Sequence, residues 1–389
     1  MTLAALRQRR GGVVSTLGLT QTLSWGSSYY LTAVFADPIS ADLDVSKTWF
    51  FGVFSGALLL SGLLGPLAGR TIDLHGGRSV LAATNVVFAA GLVLMSQASG
   101  LAGLILAWTV IGGAMGFGLY EASFATVAGL YGRDARNAIT GITLFAGFAS
   151  TVGWPASALF IDQFGWRGAC LAWAALHLVI GLPMNRFLVP KAPPPDPVAV
   201  PAHEPARGIP WTMIVLAAVF AMTWFVATAM AAHLPRLLEA MGATPHAAVA
   251  AAALVGPAQV LARLVEFTIL RKGSPLLSAR LATCLNPIGA VLLAIFGAPA
   301  GIAFVLLHGA GNGIMTIARG TLPLALFGPA GYGLRTGLLA APTRILQGGS
   351  PLLFQLVLDD AGPYVALALS GSLVGGAFLL LLLVPSPRP

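Results

Sequence analysis

Ionisable and polar side chains recur at helical spacing inside three otherwise apolar stretches of the sequence. The three sets are Gln259, Arg263 and Glu266; His308, Asn312, Met315 and Arg319; and Arg344, Gln347, Pro351 and Gln355. Because residues three or four positions apart share one face of an α-helix, each set predicts a polar stripe on a helix. Guanidinium groups stay protonated and bind carboxylate or phosphate through two parallel hydrogen bonds. The stripes therefore predict a site for an anionic group.

A further acid and three aromatic residues complete the candidate site. Glu121 stands alone in another apolar stretch, and a partly desolvated carboxyl group there is a candidate proton carrier. Three arginines against two acids leave the region net positive by one. This balance favours an anionic or zwitterionic small organic molecule, whose apolar body would rest on Tyr29, Tyr30 or Trp224.

Each charged candidate also has a structural interpretation. Arg263 and Glu266 form a helical pair at i,i+3 that could satisfy itself near the membrane edge. Arg319 could instead pair permanently with Glu121. Arg344 has no acid within its own stretch and is the best candidate for an anion ligand. For His308 and the three aromatic residues, packing inside helices is the alternative.

The composition shows which elements must position these residues. The chain has 389 residues, of which 57% are hydrophobic and 9% charged, with a mean hydropathy of +0.85. Soluble domains carry about 25% charged residues, so this is an integral membrane protein. Twelve apolar stretches, each long enough for a bilayer-crossing helix, lie near 12–36, 47–70, 79–97, 101–131, 137–160, 167–188, 211–238, 246–270, 276–296, 300–328, 335–358 and 362–384. We expect an all-α fold of twelve spans.

The distribution of basic residues predicts the orientation of these spans. Fifteen of the 21 Lys and Arg residues fall on the side that also carries both termini, and only Lys47, Arg167 and Arg236 fall on the other. Cationic loops stay in the cytoplasm. We therefore expect a multi-pass protein of the bacterial inner membrane with both termini cytoplasmic. The net charge of +8 reflects this topology and indicates no nucleic-acid surface.

A repeat divides the twelve spans into two halves. Four features recur 196 positions apart: Gly132 and Gly328, Thr140-Gly141 and Thr336-Gly337, Gly153 and Gly349, and Pro155 and Pro351. Between the halves lies a proline-rich segment, 189–210, that cannot continue a helix. The sequence predicts an N-terminal six-helix bundle (1–188), a cytoplasmic linker (189–210) and a C-terminal six-helix bundle (211–389).

The segment between spans two and three predicts a gating contact. It contains Gly69, Asp73 and Arg78, with further glycines that permit close helix approach and sharp turns. An acid beside a helix end and flanking arginines can form a latch of ion pairs and helix-dipole contacts. The alternative is an ordinary charged turn.

These residues carry a resemblance to a known family. The pattern Gly69-x-x-x-Asp73-x-x-Gly76-x-Arg78, with twelve spans and a proline-rich centre, resembles the major facilitator superfamily. Three segments are similar to the monocarboxylate and oxalate/formate antiporter branch of this superfamily: Tyr29-Tyr30 through Pro38, 49–54 and Gly165-Trp166-Arg167. The resemblance implies alternating access, with helices 1, 4, 7 and 10 lining a cavity. Arg263 and Arg344 would correspond to the basic residues that hold dicarboxylate in oxalate-type members.

Other functional classes fit less well. The six histidines and two cysteines show no metal-ligand spacing, and no phosphate-binding loop for ATP occurs. A channel would usually show rings of charge in place of an internal repeat. We expect a monomeric secondary transporter of a small organic molecule in a lipid bilayer, coupled to protons or exchange, without catalytic residues, metal or cofactor. Efflux of amphiphilic drugs or metal-linked organic compounds is the alternative, because Gly147, Gly153 and Pro155 form a cluster typical of exporters.

Overall fold

The computed structural model describes residues 10–191 and 210–385. Most of the predicted linker 189–210 therefore lies outside the described residues. In the described ranges the chain is helical and contains no β-strand. Eight helical stretches in these ranges are long and apolar enough to cross a membrane.

The described part of the first half contains eight α-helices. They are α1 (Arg10–Gly26), α2 (Thr32–Asp42), α3 (Lys47–His75), α4 (Gly77–Ser96), α5 (Leu101–Gly118), α6 (Tyr120–Tyr131), α7 (Arg136–Ala146) and α8 (Ala149–Leu176). Within α8, Gly165 has a φ of 68° and separates the fifth predicted span from the sixth. The sixth span continues through π-helical segments at His177–Gly181 and Met184–Leu188.

Between residues 210 and 385 the second half contains seven α-helices. They are α9 (Trp211–Ala240), α10 (Pro245–Ala252), α11 (Val255–Thr268), α12 (Pro275–Phe296), α13 (Gly301–Phe327), α14 (Tyr332–Asp360) and α15 (Pro363–Leu382). Four predicted spans consist of two helices each: the first (α1 and α2), fourth (α5 and α6), fifth (α7 and α8) and eighth (α10 and α11). The sequence predicted these as single stretches, because a break of one to five residues leaves hydropathy unchanged.

The breaks in spans one and four are stabilised by side chains from other helices. A carbonyl released from a helix inside an apolar environment needs another donor. Gln21 Nε2 donates to the Gly118 carbonyl at 2.6 Å, where span four breaks. Trp154 Nε1 donates to the Tyr30 carbonyl at 3.1 Å, where span one breaks.

The sequence repeat extends to the backbone conformation. Gly132 and Gly328, which follow the fourth and tenth spans, have φ angles of 57° and 74°. Glycine adopts this left-handed region without a Cβ penalty. The second span of each half, which begins with α3 and with α10, is capped in the same way, by Ser46 accepting from Trp49 N–H and by Thr244 accepting from Ala247 N–H, both at 3.3 Å. The two halves thus share turns and caps as well as glycine positions.

By Cα proximity the chain forms two compact units. Unit 1 comprises Met1–Ala202 and Phe327–Ala341, and unit 2 comprises His203–Leu326 and Pro342–Pro389. The start of α14 thus belongs to unit 1 and the rest of that helix to unit 2. The predicted domain boundaries at 188 and 211 stay a prediction. The core of unit 2 contains Phe304, Phe354 and Leu293, each fully buried.

Candidate functional site

The buried charges of the described chain lie in one half of the molecule. Four charged side chains are less than a tenth exposed: Arg263, Glu266, Arg319 and Arg344. All four belong to unit 2. Three arginines and one acid leave this buried set net positive by two, so unit 2 attracts negative charge.

Two of the arginines are positioned by glutamines of their own helices. Arg263 Nη2 donates to Gln259 Oε1 at 3.3 Å on α11. Arg344 Nη1 donates to Gln347 Oε1 at 3.1 Å on α14. The predicted stripes therefore exist as side-chain contacts. A glutamine oxygen is uncharged, so each contact orients a guanidinium group without neutralising it.

Arg319 contacts the predicted aromatic residue of span seven. Its guanidinium carbon lies 5.0 Å from the centre of the Trp224 ring, which is within the range of a cation–π interaction. The contact connects α13 with α9 inside unit 2. Glu121 belongs to unit 1, and its alternative pairing with Arg319 stays a prediction.

His308 and Asn312 line a cavity inside unit 2. The lining residues come from α9, α12, α13 and α15 and are Thr223, Val226, Ala227, Ala282, Thr283, Asn286, His308, Gly311, Asn312, Met315 and Val374. Asn286 Nδ2 lies 2.9 Å from His308 Nδ1. Ser370 Oγ donates to Asn286 Oδ1 at 3.3 Å. Of the four residues predicted on the stripe of α13, the structure thus places three on this cavity, His308, Asn312 and Met315, while Arg319 does not line it.

Unit 1 contains the predicted tyrosines within an aromatic cluster. Tyr29 lies 5.5 Å from Trp25 and 5.7 Å from Phe54, measured between ring centres. Tyr30 packs on Trp154 at 5.8 Å. Both tyrosines are half-buried, so they have packing partners and keep some exposed surface.

Glu121 occupies the first turn of α6, directly after the break in span four. The positive end of a helix dipole stabilises an acid at this position. Its chain neighbour Tyr120 packs on Trp25, with ring centres 5.1 Å apart. Glu121 therefore directly follows a residue of the aromatic cluster in the chain.

A second histidine network was missed by the sequence analysis. In unit 1, His177 Nε2 lies 2.7 Å from Ser27 Oγ and its Nδ1 lies 2.9 Å from Asn85 Oδ1. All three side chains are buried. The signal that could have found it is an asparagine within the third span of each half, Asn85 and Asn286.

The predicted gating residues lie at a close helix contact within unit 1. Asp73 accepts hydrogen bonds from the backbone N–H groups of Gly333 and Leu334, both at 2.9 Å. These groups begin α14 and have no partner within their own helix. Gly69 lies against Gly333 so closely that a Cβ on Gly69 would overlap the Gly333 carbonyl. Arg78 is half-buried in the first turn of α4.

Comparison with known families identifies the chain. The family described as the Major Facilitator Superfamily matches residues 17–306, about three quarters of the sequence. The chain belongs to the major facilitator superfamily. The predicted fold, twelve transmembrane helices in two pseudo-symmetric six-helix bundles, is confirmed. As a superfamily member, the chain is a membrane transporter and not an enzyme. The monocarboxylate and oxalate/formate branch stays a prediction.

Solved transporter structures share this fold over almost their full length. The human organic anion transporter MFSD10 (TETRAN) matches with a TM-score of 0.75 and 16% identity, covering 95% of this chain and 98% of that one. The proton:xylose symporter XylE, bound to 6-bromo-6-deoxy-D-glucose, matches with a TM-score of 0.77 and 13% identity over 98% of each chain. The E. coli fucose:proton symporter FucP matches with a TM-score of 0.74 and 14% identity, covering 95% and 98%. No curated protein matches the sequence significantly.

Proposed function

We propose that this superfamily member is a secondary active transporter that moves a small organic anion or zwitterion across the bacterial inner membrane. It works by alternating access, as a monomer with both termini in the cytoplasm, driven by proton coupling or exchange. The observation that carries the proposal is the buried charge of unit 2, where three arginines accompany one acid. Organic anion transport by MFSD10 and proton coupling by XylE and FucP show that relatives of this fold perform such reactions.

Arg344 is the first candidate ligand for the substrate anion. It is 3% exposed, and the side chain that orients it, Gln347, is neutral. A guanidinium group binds carboxylate through two parallel hydrogen bonds, which an ammonium group cannot reproduce. Arg263 and Arg319 supply further positive charge, and His308 and Asn312 supply uncharged hydrogen-bonding groups.

The aromatic cluster of unit 1 and Trp224 would hold the apolar body of the substrate. Glu121, which belongs to unit 1 and lies at a helix N-terminus, is the proposed proton carrier. Gly69, Asp73 and Arg78 are the proposed gating residues, because Asp73 connects α3 to the start of α14.

A thermal-shift screen of the purified protein tests the sign of the substrate charge. Carboxylates such as oxalate, lactate and benzoate are compared with tetraphenylphosphonium and ethidium as amphiphilic cations. Stabilisation by one or more carboxylates supports the proposal. Stabilisation by the cations alone would favour the second candidate, efflux of amphiphilic drugs, which rests on the glycine and proline cluster of span five (Gly147, Gly153 and Pro155).

Binding of the stabilising anion and its uptake into proteoliposomes then test the individual residues. Arg344→Ala should abolish binding, and Arg344→Lys should restore little of it, since recognition of a carboxylate needs two parallel hydrogen bonds from one side chain. Arg236→Ala is the matched control, because Arg236 is half-exposed and pairs with Asp359 at the end of α9. Equal binding by the Arg344→Lys variant and the wild type would contradict bidentate recognition.

Uptake driven by a pH gradient tests the proposed proton carrier. Undiminished uptake by Glu121→Gln would exclude Glu121 from this role.

A further inference from the structure

The cavity in unit 2 has a mainly apolar lining with a few polar groups and no charged side chain. None of its eleven lining residues is acidic or basic at neutral pH, apart from the imidazole of His308. Four of them, Thr223, Thr283, Asn286 and Asn312, bear uncharged oxygen or nitrogen atoms. Its volume, counted as space for the centre of a water molecule, is about 20 Å³. About 10–15 Å³ of such space suffices for one water molecule.

The hydrogen bonds around His308 determine which ring nitrogen carries the hydrogen. Asn286 Oδ1 accepts from Ser370, so its amide nitrogen is the atom that faces His308 Nδ1, at 2.9 Å. An amide nitrogen only donates, which makes Nδ1 the acceptor. In the neutral ring the hydrogen is then on Nε2, and Nε2 becomes a donor.

This donor has no partner among the described side chains and backbone groups. His308 is 5% exposed, and its ring is held by Asn286 on one side and by stacking on Phe304 at 6.0 Å. The amide of Asn312, one turn further along α13, also makes no side-chain hydrogen bond within the described ranges. A donor that faces a cavity inside a protein without an acceptor is unfavourable, so the cavity is suited to an oxygen that accepts from Nε2.

The histidine of unit 1 shows the opposite arrangement. His177 Nδ1 faces a carboxamide oxygen, Asn85 Oδ1, and therefore carries the hydrogen, while Nε2 accepts from Ser27 Oγ. Both ring nitrogens are satisfied by the protein itself. His177 completes its network within unit 1, whereas the described residues of unit 2 provide no acceptor for His308 Nε2–H.

We propose that the cavity is a binding site for a single uncharged oxygen atom, from an ordered water or a substrate hydroxyl group, that accepts a hydrogen bond from His308 Nε2. Thr223 and Thr283 donate their own hydroxyl hydrogens to backbone carbonyls and keep oxygen lone pairs for such a ligand. If the oxygen belongs to a substrate hydroxyl group, the substrate is a hydroxylated organic anion, and this part of the inference rests on the proposed function. An analogue without the hydroxyl should then bind about fivefold more weakly, as expected for one neutral hydrogen bond.

Nuclear magnetic resonance of the histidine rings tests the site without knowledge of the substrate. The full-length protein is labelled with ¹⁵N-histidine and reconstituted in nanodiscs, and the His308 and His177 signals are assigned with His308→Gln and His177→Gln. We expect the Nε2–H form at His308 and the Nδ1–H form at His177. A contact between His308 Nε2–H and water supports the water source, and a shift of that signal on titration with glycerol supports the hydroxyl source. His177 should show neither.

A cavity-filling variant keeps the test independent of the histidine itself. Asn312→Leu should remove the water contact and the response to glycerol while His308 keeps the Nε2–H form. The proposal is overturned by an Nδ1–H or doubly protonated His308, by the lack of both contacts in the wild type, or by contacts that persist in Asn312→Leu. The proposed function fails separately, if no organic anion binds or is transported.

Discussion

Replacing Asp73 by asparagine should loosen the start of α14. The Asp73 carboxylate accepts from the N–H groups of Gly333 and Leu334, both at 2.9 Å. These are among the first N–H groups of α14, which have no acceptor within the helix. The asparagine keeps the size of the side chain and one acceptor oxygen, but it removes the negative charge and replaces the second acceptor oxygen by an amide nitrogen that only donates.

The expected loss follows from the removal of one acceptor oxygen and of the charge. Gly333 and Leu334 donate to different oxygens of Asp73, so asparagine can accept only one of the two hydrogen bonds, and the loss of the other at this half-exposed site destabilises the helix start by about 1 kcal/mol. The interaction with the helix dipole adds about 0.5 kcal/mol. The sum is about 1.5 kcal/mol, which corresponds to about tenfold in an equilibrium constant. Local opening at the start of α14 should therefore become about tenfold more frequent.

Hydrogen–deuterium exchange measures this opening directly. Peptides that contain Gly333 and Leu334 should exchange about tenfold faster in Asp73→Asn than in the wild type, while peptides from α12 and α15 stay unchanged. Asp134→Asn is the control, because Asp134 is 84% exposed and lies 3.9 Å from Arg10. Unchanged exchange at Gly333 and Leu334 would refute the role of Asp73 in holding this helix end.

Three further substitutions probe the packing that supports the site. Gly69→Leu should lower the thermal unfolding midpoint by several degrees, because a Cβ at this position overlaps the Gly333 carbonyl. Gly129→Leu is the control and should leave the midpoint unchanged, since no neighbouring atom lies within 4 Å of a Cβ there. Equal midpoints for the two variants would contradict the close contact. His177→Phe should destabilise the protein by about 1–3 kcal/mol in denaturant unfolding, because the buried side chains of Ser27 and Asn85 lose their hydrogen bonds to the imidazole ring. A variant as stable as the wild type would show that the network contributes nothing to stability. Arg280→Met should expose the end of α15 to proteolysis, because Arg280 donates hydrogen bonds to the carbonyls of Leu381 and Val384. An unchanged rate of cleavage would argue against a role of Arg280 in holding this helix end.

The fold could be predicted from composition and repeat, but its local breaks could not. Hydropathy reports burial in lipid and is insensitive to a turn of a few residues, so spans one and four were predicted as continuous. The breaks depend on distant donors, Gln21 for the Gly118 carbonyl and Trp154 for the Tyr30 carbonyl. Sequence spacing within one helix carries no information on such partners.

The same limit applies to the candidate site. Spacing placed His308 and Asn312 on one face, and the structure finds both on one cavity. Asn286 and Ser370 complete that network from two other helices, and the matching positions of Asn85 and Asn286 in the two halves do not indicate which residues they contact. Residues that share a helix face were therefore predictable, and residues brought together by tertiary packing were not.

The two halves preserve the repeat in their turns and differ in their polar interiors. Both place an asparagine of the third span beside a histidine, but the histidine comes from the sixth span in unit 1 and from the fourth span of the second half in unit 2. In unit 1 the ring is fully satisfied, and the described residues there include no charged side chain that is less than a tenth exposed. In unit 2 the ring lines a cavity, and three arginines are buried.

The second half is therefore the more favourable place for an anion to bind. Because buried positive charge in an apolar protein is stabilised by a negatively charged ligand, unit 2 is where we expect most of the substrate's binding energy to arise. Substitutions of matched type should then affect affinity more strongly in unit 2, at Arg344, than in unit 1, at Glu121; the reverse order in equilibrium binding would contradict this division of roles.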